Sequence, residues 1–193
     1  MSDAIFKPRK LDAIELRGVV DIRQGKKYLC RNARNHFVDG GLKGIISTII
    51  FNNVDHGYWY GPANTWNIYI GSDTVTSTVT TRTELQSPIG VAPGTAPDIK
   101  SITGVHDGGS DGDWYATWQA TWNPGTVSGT LGETALYMSM PDKTAFGWGV
   151  KGGYSPPAVM VSRLSNADGD FSSFSIDDTK PLTIDWTVHL QFA

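Results

Sequence analysis

Cysteine is nearly absent from this chain: Cys30 is the one example in 193 residues. A lone thiol cannot close an internal disulfide, which fits folding in a reducing cytosol. Charge is scarce as well, at 18 % of residues with a net of −3. That is below the usual quarter and gives no bulk electrostatic attraction toward nucleic acid. Long apolar runs are missing, and none approaches the ~18 residues that would cross a bilayer as a helix. The opening Met-Ser-Asp-Ala-Ile-Phe-Lys-Pro-Arg-Lys has no apolar segment of the signal-peptide kind. The expectation is a soluble chain made in the cytoplasm without an export signal, engaging neither membrane nor nucleic acid.

Catalytic patterns are lacking too. No G-x-S-x-G occurs, so there is no hydrolase elbow. The glycine-rich run Gly147-Trp148-Gly149-Val150-Lys151-Gly152-Gly153 does not form a phosphate loop. His36, His56, His106 and His189 make neither H-x-H nor H-E-x-x-H, and read as scattered surface or capping groups. Asp107, Asp111 and Asp113 evoke a calcium loop, but Gly109 and Ser110 interrupt the ligand spacing. Cys30 lies inside an expected strand and reads as a small buried apolar group rather than a nucleophile. Asp177 and Asp178 fall in a turn, where Asp bonds the local backbone. The chain is therefore expected to be no enzyme and to need no cofactor or metal.

What the chain does have is period-two patterning. From Leu182 to Phe192 the even positions are Leu182, Ile184, Trp186, Val188, Leu190 and Phe192. Polar residues fill every position between them, which predicts a strand with one dry and one wet face. Burying six such side chains is worth roughly 9–18 kcal/mol gross, enough to make this strand a central wall of the core. Trp114, Ala116, Trp118, Ala120 and Trp122 alternate with Tyr115, Thr117, Gln119 and Thr121 in a second strand. Asn123-Pro124-Gly125 stops it, with Pro and Gly at the two corners of a type II turn.

Gly18–Ile22 and Lys27–Cys30 flank Gln24-Gly25-Lys26 and predict a hairpin turning at Gly25. Strands are further expected at 66–70, 99–105, 134–140, 146–150, 160–164 and 171–176. Residues 84–97 hold three prolines and two glycines, so they read as a long loop. One amphipathic helix is predicted over 40–51. Asp39 is its N-cap, and Leu42, Ile45, Ile46, Ile49 and Ile50 make its apolar face. Residues 1–17 lack any period and form an arm, and 18–193 form one domain. The fold class is all-β, an antiparallel sandwich of jelly-roll type with that single helix.

Most tryptophans fall on dry strand faces and belong to the core. Tyr58, Trp59, Tyr60, Trp148 and Tyr154 lie in or beside loops. They suit either anchors for a protein partner, the preferred role, or stacking platforms for sugar. With Lys7, Arg9 and Lys10 of the arm, which is expected to lie on another subunit or to fold back on its own domain, they are the candidate assembly or ligand contacts.

Four stretches together resemble a family of tailed-phage virion proteins, the tail-fibre or appendage proteins. They are Asn35-His36-Phe37-Val38-Asp39-Gly40-Gly41-Leu42, Trp66-Asn67-Ile68-Tyr69-Ile70-Gly71-Ser72-Asp73, Gly129-Thr130-Leu131-Gly132-Glu133-Thr134-Ala135-Leu136-Tyr137 and Leu182–Phe192. They occur in the family's order across most of residues 18–193, with Ala135 where the family has glycine. The resemblance implies a structural subunit of a virion, most simply in the tail, fibre or baseplate, with a capsid-decoration or neck position as the alternative. It implies contacts with copies of itself, a trimer among the candidates, and with neighbouring virion proteins, and it leaves room for a host-surface glycan. It carries no catalytic residues.

Overall fold

The computed structural model describes residues 14–38, 41–42, 66–72, 85, 87–89, 98–108, 113–139 and 158–192. Within them the chain forms β1 (Ile14–Gln24), β2 (Lys27–Arg34), β3 (His36–Phe37), β4 (Trp66–Gly71), β5 (Asp98–Gly108) and β6 (Asp113–Trp122). There follow β7 (Gly129–Leu131), β8 (Glu133–Ser139), β9 (Ala158–Ser165), β10 (Phe174–Ile176) and β11 (Leu182–Phe192). Every strand pairing is antiparallel.

Strand β11 lies in the middle of a five-stranded sheet of order β2-β1-β11-β6-β5. It pairs with β1 from Gln24↔Leu182 to Ile14↔Phe192, and with β6 from Leu182↔Trp122 to Gln191↔Asp113. The even residues Leu182, Ile184 and Trp186 are fully or almost fully buried, as their alternation requires. Beside them β6 alternates Ala116, Trp118, Ala120 and Trp122. Trp118 stands opposite Trp186, and Ala120 opposite Ile184. Small residues between the indoles leave room for large ones on the facing layer, which lets the core fill without voids.

That facing layer is a four-stranded sheet of order β3-β9-β8-β4, with β7 and β10 pairing as a separate ribbon. Ile68 and Ile70 of β4, Leu136 of β8 and Leu164 of β9 join Val20, Ile22, Trp118, Trp122, Ile184 and Trp186 in one continuous core. A second, smaller core of Val38, Tyr69, Leu85, Ala135, Tyr137 and Met160 lies against the opposite face of β4, β8 and β9. The four-stranded sheet is thus buried on both sides, and the near-continuous burial of 131–137 follows from that.

The expected hairpin is present and longer than its apolar pattern. β1 starts at Ile14, so 14–17, placed in the arm by sequence, are paired with the end of β11. Gln24 and Lys27 are partners across a two-residue turn, and Gly25 takes the left-handed corner at φ 59°. A bulge in β2 puts Asn32 at φ 53°, where its N–H donates to Asp21 Oδ1 at 2.6 Å. Gly125 has φ 76° and Thr126 N donates to Asn123 O at 3.1 Å, the geometry expected of a type II turn.

Other boundaries move. β5 runs eleven residues, beyond the short strand expected at 99–105. β10 keeps three of the six residues expected at 171–176, and Phe171 is buried ahead of it. In the proline-rich segment Pro88 bridges Gly71, and Ile89 N donates to Ile70 O at 2.8 Å. Of the expected helix, Gly41 and Leu42 are described, and Leu42 N donates to Val38 O at 3.0 Å in a single turn. The remainder of 40–51, the strand at 146–150 and residues 1–13 lie outside the described residues.

Candidate functional site

Lys7, Arg9, Lys10, Tyr58, Trp59, Tyr60, Trp148 and Tyr154 all lie outside the described residues. The described residues offer instead one broad surface, the outer face of the five-stranded sheet. The odd residues of β11 point there, because their even neighbours fill the core. They meet β6 in a continuous polar ladder. Thr121 and Thr183 hydroxyls are 3.2 Å apart, and Thr117 and Thr187 hydroxyls 2.8 Å. Gln119 Nε2 donates to Asp185 Oδ1 at 2.6 Å, and the Tyr115 and His189 rings lie 5.4 Å apart. From β1, Arg23 reaches Asp185 at 3.6 Å. Except for Thr183, which is buried, these side chains are half-buried. Val19 is the sole aliphatic residue that β1 contributes between Arg17 and Arg23 on this face. Over β1, β6 and β11 the face is polar and laterally bonded, and suits hydrogen-bonded contact with another surface.

A different cluster stands behind the four-stranded sheet. Arg163 and Glu133 are both fully buried, with Arg163 Nε and Nη2 each 3.2 Å from Glu133 Oε2. Arg163 Nη1 donates to Asp168 Oδ2 at 2.5 Å, and Nη2 donates to Ser165 Oγ at 3.1 Å. Glu133 Oε1 accepts from Ser87 N at 3.1 Å. Gly71 is needed beside it, since a Cβ there would come within 2.6 Å of Glu133 Oε1 and 2.9 Å of Ser87 O. Next along the turn, Asp170 accepts from Ser165 N at 2.9 Å, and its Oδ1 lies 2.9 Å from His36 Nε2. The cluster fixes the 166–170 turn to β9 and β8. Its groups are spent on one another, so it does structural work.

Sequence reading missed this network. The signal was Arg163 within the apolar run Met160, Val161 and Leu164, a cation that cannot be buried unpaired. Cys30 is partly buried against the core rather than fully enclosed. Burial, then the nearby Asp21 carboxylate, raises its thiol above the ordinary value of 9.0. Asp177 takes the local role expected of it, accepting from Thr179 N at 3.1 Å. Among the described residues no three His, Cys, Asp or Glu side chains are grouped to hold a metal ion, and no helix is long and apolar enough to cross a membrane. Compared with family models, curated proteins and solved structures, the chain matches none.

Proposed function

We propose that this chain is a non-enzymatic structural subunit of a phage-like virus particle, a jelly-roll-like β-sandwich placed in the tail, fibre or baseplate. The outer face of the five-stranded sheet carries this reading. Its polar side chains are held by neighbours across the strands, a surface ordered in advance for contact with another subunit. The stretches that carry the resemblance to tail-fibre and appendage proteins support it further. Three of the four coincide with β4, with β7 and β8, and with β11, which contribute to the main core, and the first spans β3. Capsid decoration or a neck position of the same kind of particle uses the same surfaces.

Sedimentation of the purified chain tests self-association, and antibody labelling of particles from producing cultures tests incorporation. A multimer that labels on particles is the expected result. A chain that stays monomeric and labels no particle would overturn the proposal. A carbohydrate-binding role is the second reading, favoured by the row of Tyr115, Gln119, Asp185 and His189 as well as by the loop aromatics. A glycan array separates the two, with binding that Tyr115→Ala abolishes counting for the glycan.

A further inference from the structure

At the end of the five-stranded sheet where β1 turns into β2, a cleft of about 520 Å³ opens between the hairpin and the segment 174–180. Its two walls are tied together. Gly25 N donates to Pro181 O at 2.9 Å, and Gln24 Nε2 donates to Asp177 O at 2.8 Å. Leu29 and Phe174, both half-buried, give it apolar surface, and Phe174 is itself packed against Phe171 with ring centroids 6.4 Å apart. Lys26, Lys27 and Lys180 also line it. Asp177, the one carboxylate among the described residues that line it, is already engaged by Lys180 Nζ and by the Thr179 hydroxyl and amide. That engagement holds the Asp177 carboxyl down at about 2, so it stays ionised and occupied and does not compete for the other lysines. Lys26 and Lys27 have no ion-pair partner among the described residues. The cleft therefore gathers an excess of positive charge in a chain whose net charge is −3.

We propose that this cleft binds a small organic acid, an anionic head carried on an apolar body. The ammonium groups of Lys26 and Lys27 take the head, and Leu29 and Phe174 take the body. The volume of this open cleft falls within the range of small-ligand sites, and an apolar wall with a few charged groups beside it is the composition of such sites. Neither half of the chemistry suffices alone: exposed lysines bind a bare anion weakly in water, and the apolar surface is too small to hold an uncharged body.

The test is an amide-resolved NMR titration of the full chain with benzoate and hexanoate. Benzyl alcohol supplies the body without charge, and inorganic phosphate supplies charge without the body. The expected result is saturable shifts at Lys27, Leu29 and Ser175 with the two organic acids, and affinity at least about tenfold weaker for both controls. The double variant Lys26→Gln/Lys27→Gln alters exposed side chains and keeps the fold. It should lower benzoate affinity by about tenfold or more and leave benzyl alcohol unchanged. Phosphate binding as tightly as benzoate, undiminished benzoate binding in the double variant, or no shift with either acid would each overturn the proposal.

Discussion

The outer faces of the two sheets both carry ionisable groups, and they hold them in opposite ways. Behind the five-stranded sheet Arg23 and Asp185 keep about a third and a quarter of their side-chain surface in water, 34 % and 24 %, at 3.6 Å. Behind the four-stranded sheet Arg163 and Glu133 keep none, at 3.2 Å. Water screens the first pair and supplies alternative partners, so the pair adds little and its loss leaves nothing stranded. No water reaches the second pair. Each charge there depends on the other, on Asp168 and on the hydrogen bonds around them. Chemically similar pairs are thus incidental in one place and obligatory in the other, and burial alone decides which.

The sharpest test sets the two arginines against each other. Arg163→Ala should lower unfolding free energy by about 3–5 kcal/mol, because it strands the buried Glu133 carboxylate. Arg23→Ala should cost under about 1 kcal/mol. Urea unfolding of both variants measures the gap, and equal losses would break the comparison. A smaller effect comes from Tyr137→Phe. The Tyr137 hydroxyl accepts from Leu85 N at 3.0 Å in a fully buried setting, and its removal leaves that N–H without an acceptor. A loss of about 1–3 kcal/mol follows.

On the wetter face, Gln119→Ala and Asp185→Ala should show a coupling of only about 0.2–1 kcal/mol in a double-mutant cycle. Coupling well above that would mean the ladder is drier than its exposure implies. The smallest effect belongs to Asp177, whose side chain keeps 37 % of its surface in water. Its Lys180 and Thr179 hydrogen bonds depress its carboxyl from 3.8 to about 2. A depressed carboxyl stabilises the fold above the ordinary value, and that contribution disappears as pH falls through about 2. Carboxyl-detected NMR should place its midpoint near 2. Global stability should differ little between the native chain and Asp177→Asn, since solvent screens an exposed pair.

The strands of the five-stranded sheet were legible because one of its faces is wet. β11 and β6 alternate cleanly, and the alternation names the buried side before any coordinate is seen. In β8 the residues Glu133, Thr134, Ala135, Leu136 and Tyr137 are all buried, so polarity there does not mark which side is which. Nothing in the sequence pattern marked Arg163 and Glu133 as a buried pair, for the same reason. The cleft was equally hidden. Lys26 and Lys27 belong to a hairpin tip and Lys180 to a turn late in the chain, and nothing in their spacing joins them. The expected contact residues fall outside the described part of the chain, and the face that stands in their place comes from residues read as the wet side of two strands.

The sequence by itself determined that β6 and β11 are extended, that Trp118, Ala120, Trp122, Leu182, Ile184 and Trp186 are dry, and where Gly25 and Gly125 must turn. Those are local matters of side-chain period and backbone sterics, and a few consecutive residues suffice to fix them. Tertiary structure alone decided that β1 and β11, from opposite ends of the chain, lie side by side. It also decided that the four-stranded sheet is covered on both faces and that Arg163 finds Glu133 and Asp168. These depend on which distant surfaces exclude water together, and no short window of residues carries that information.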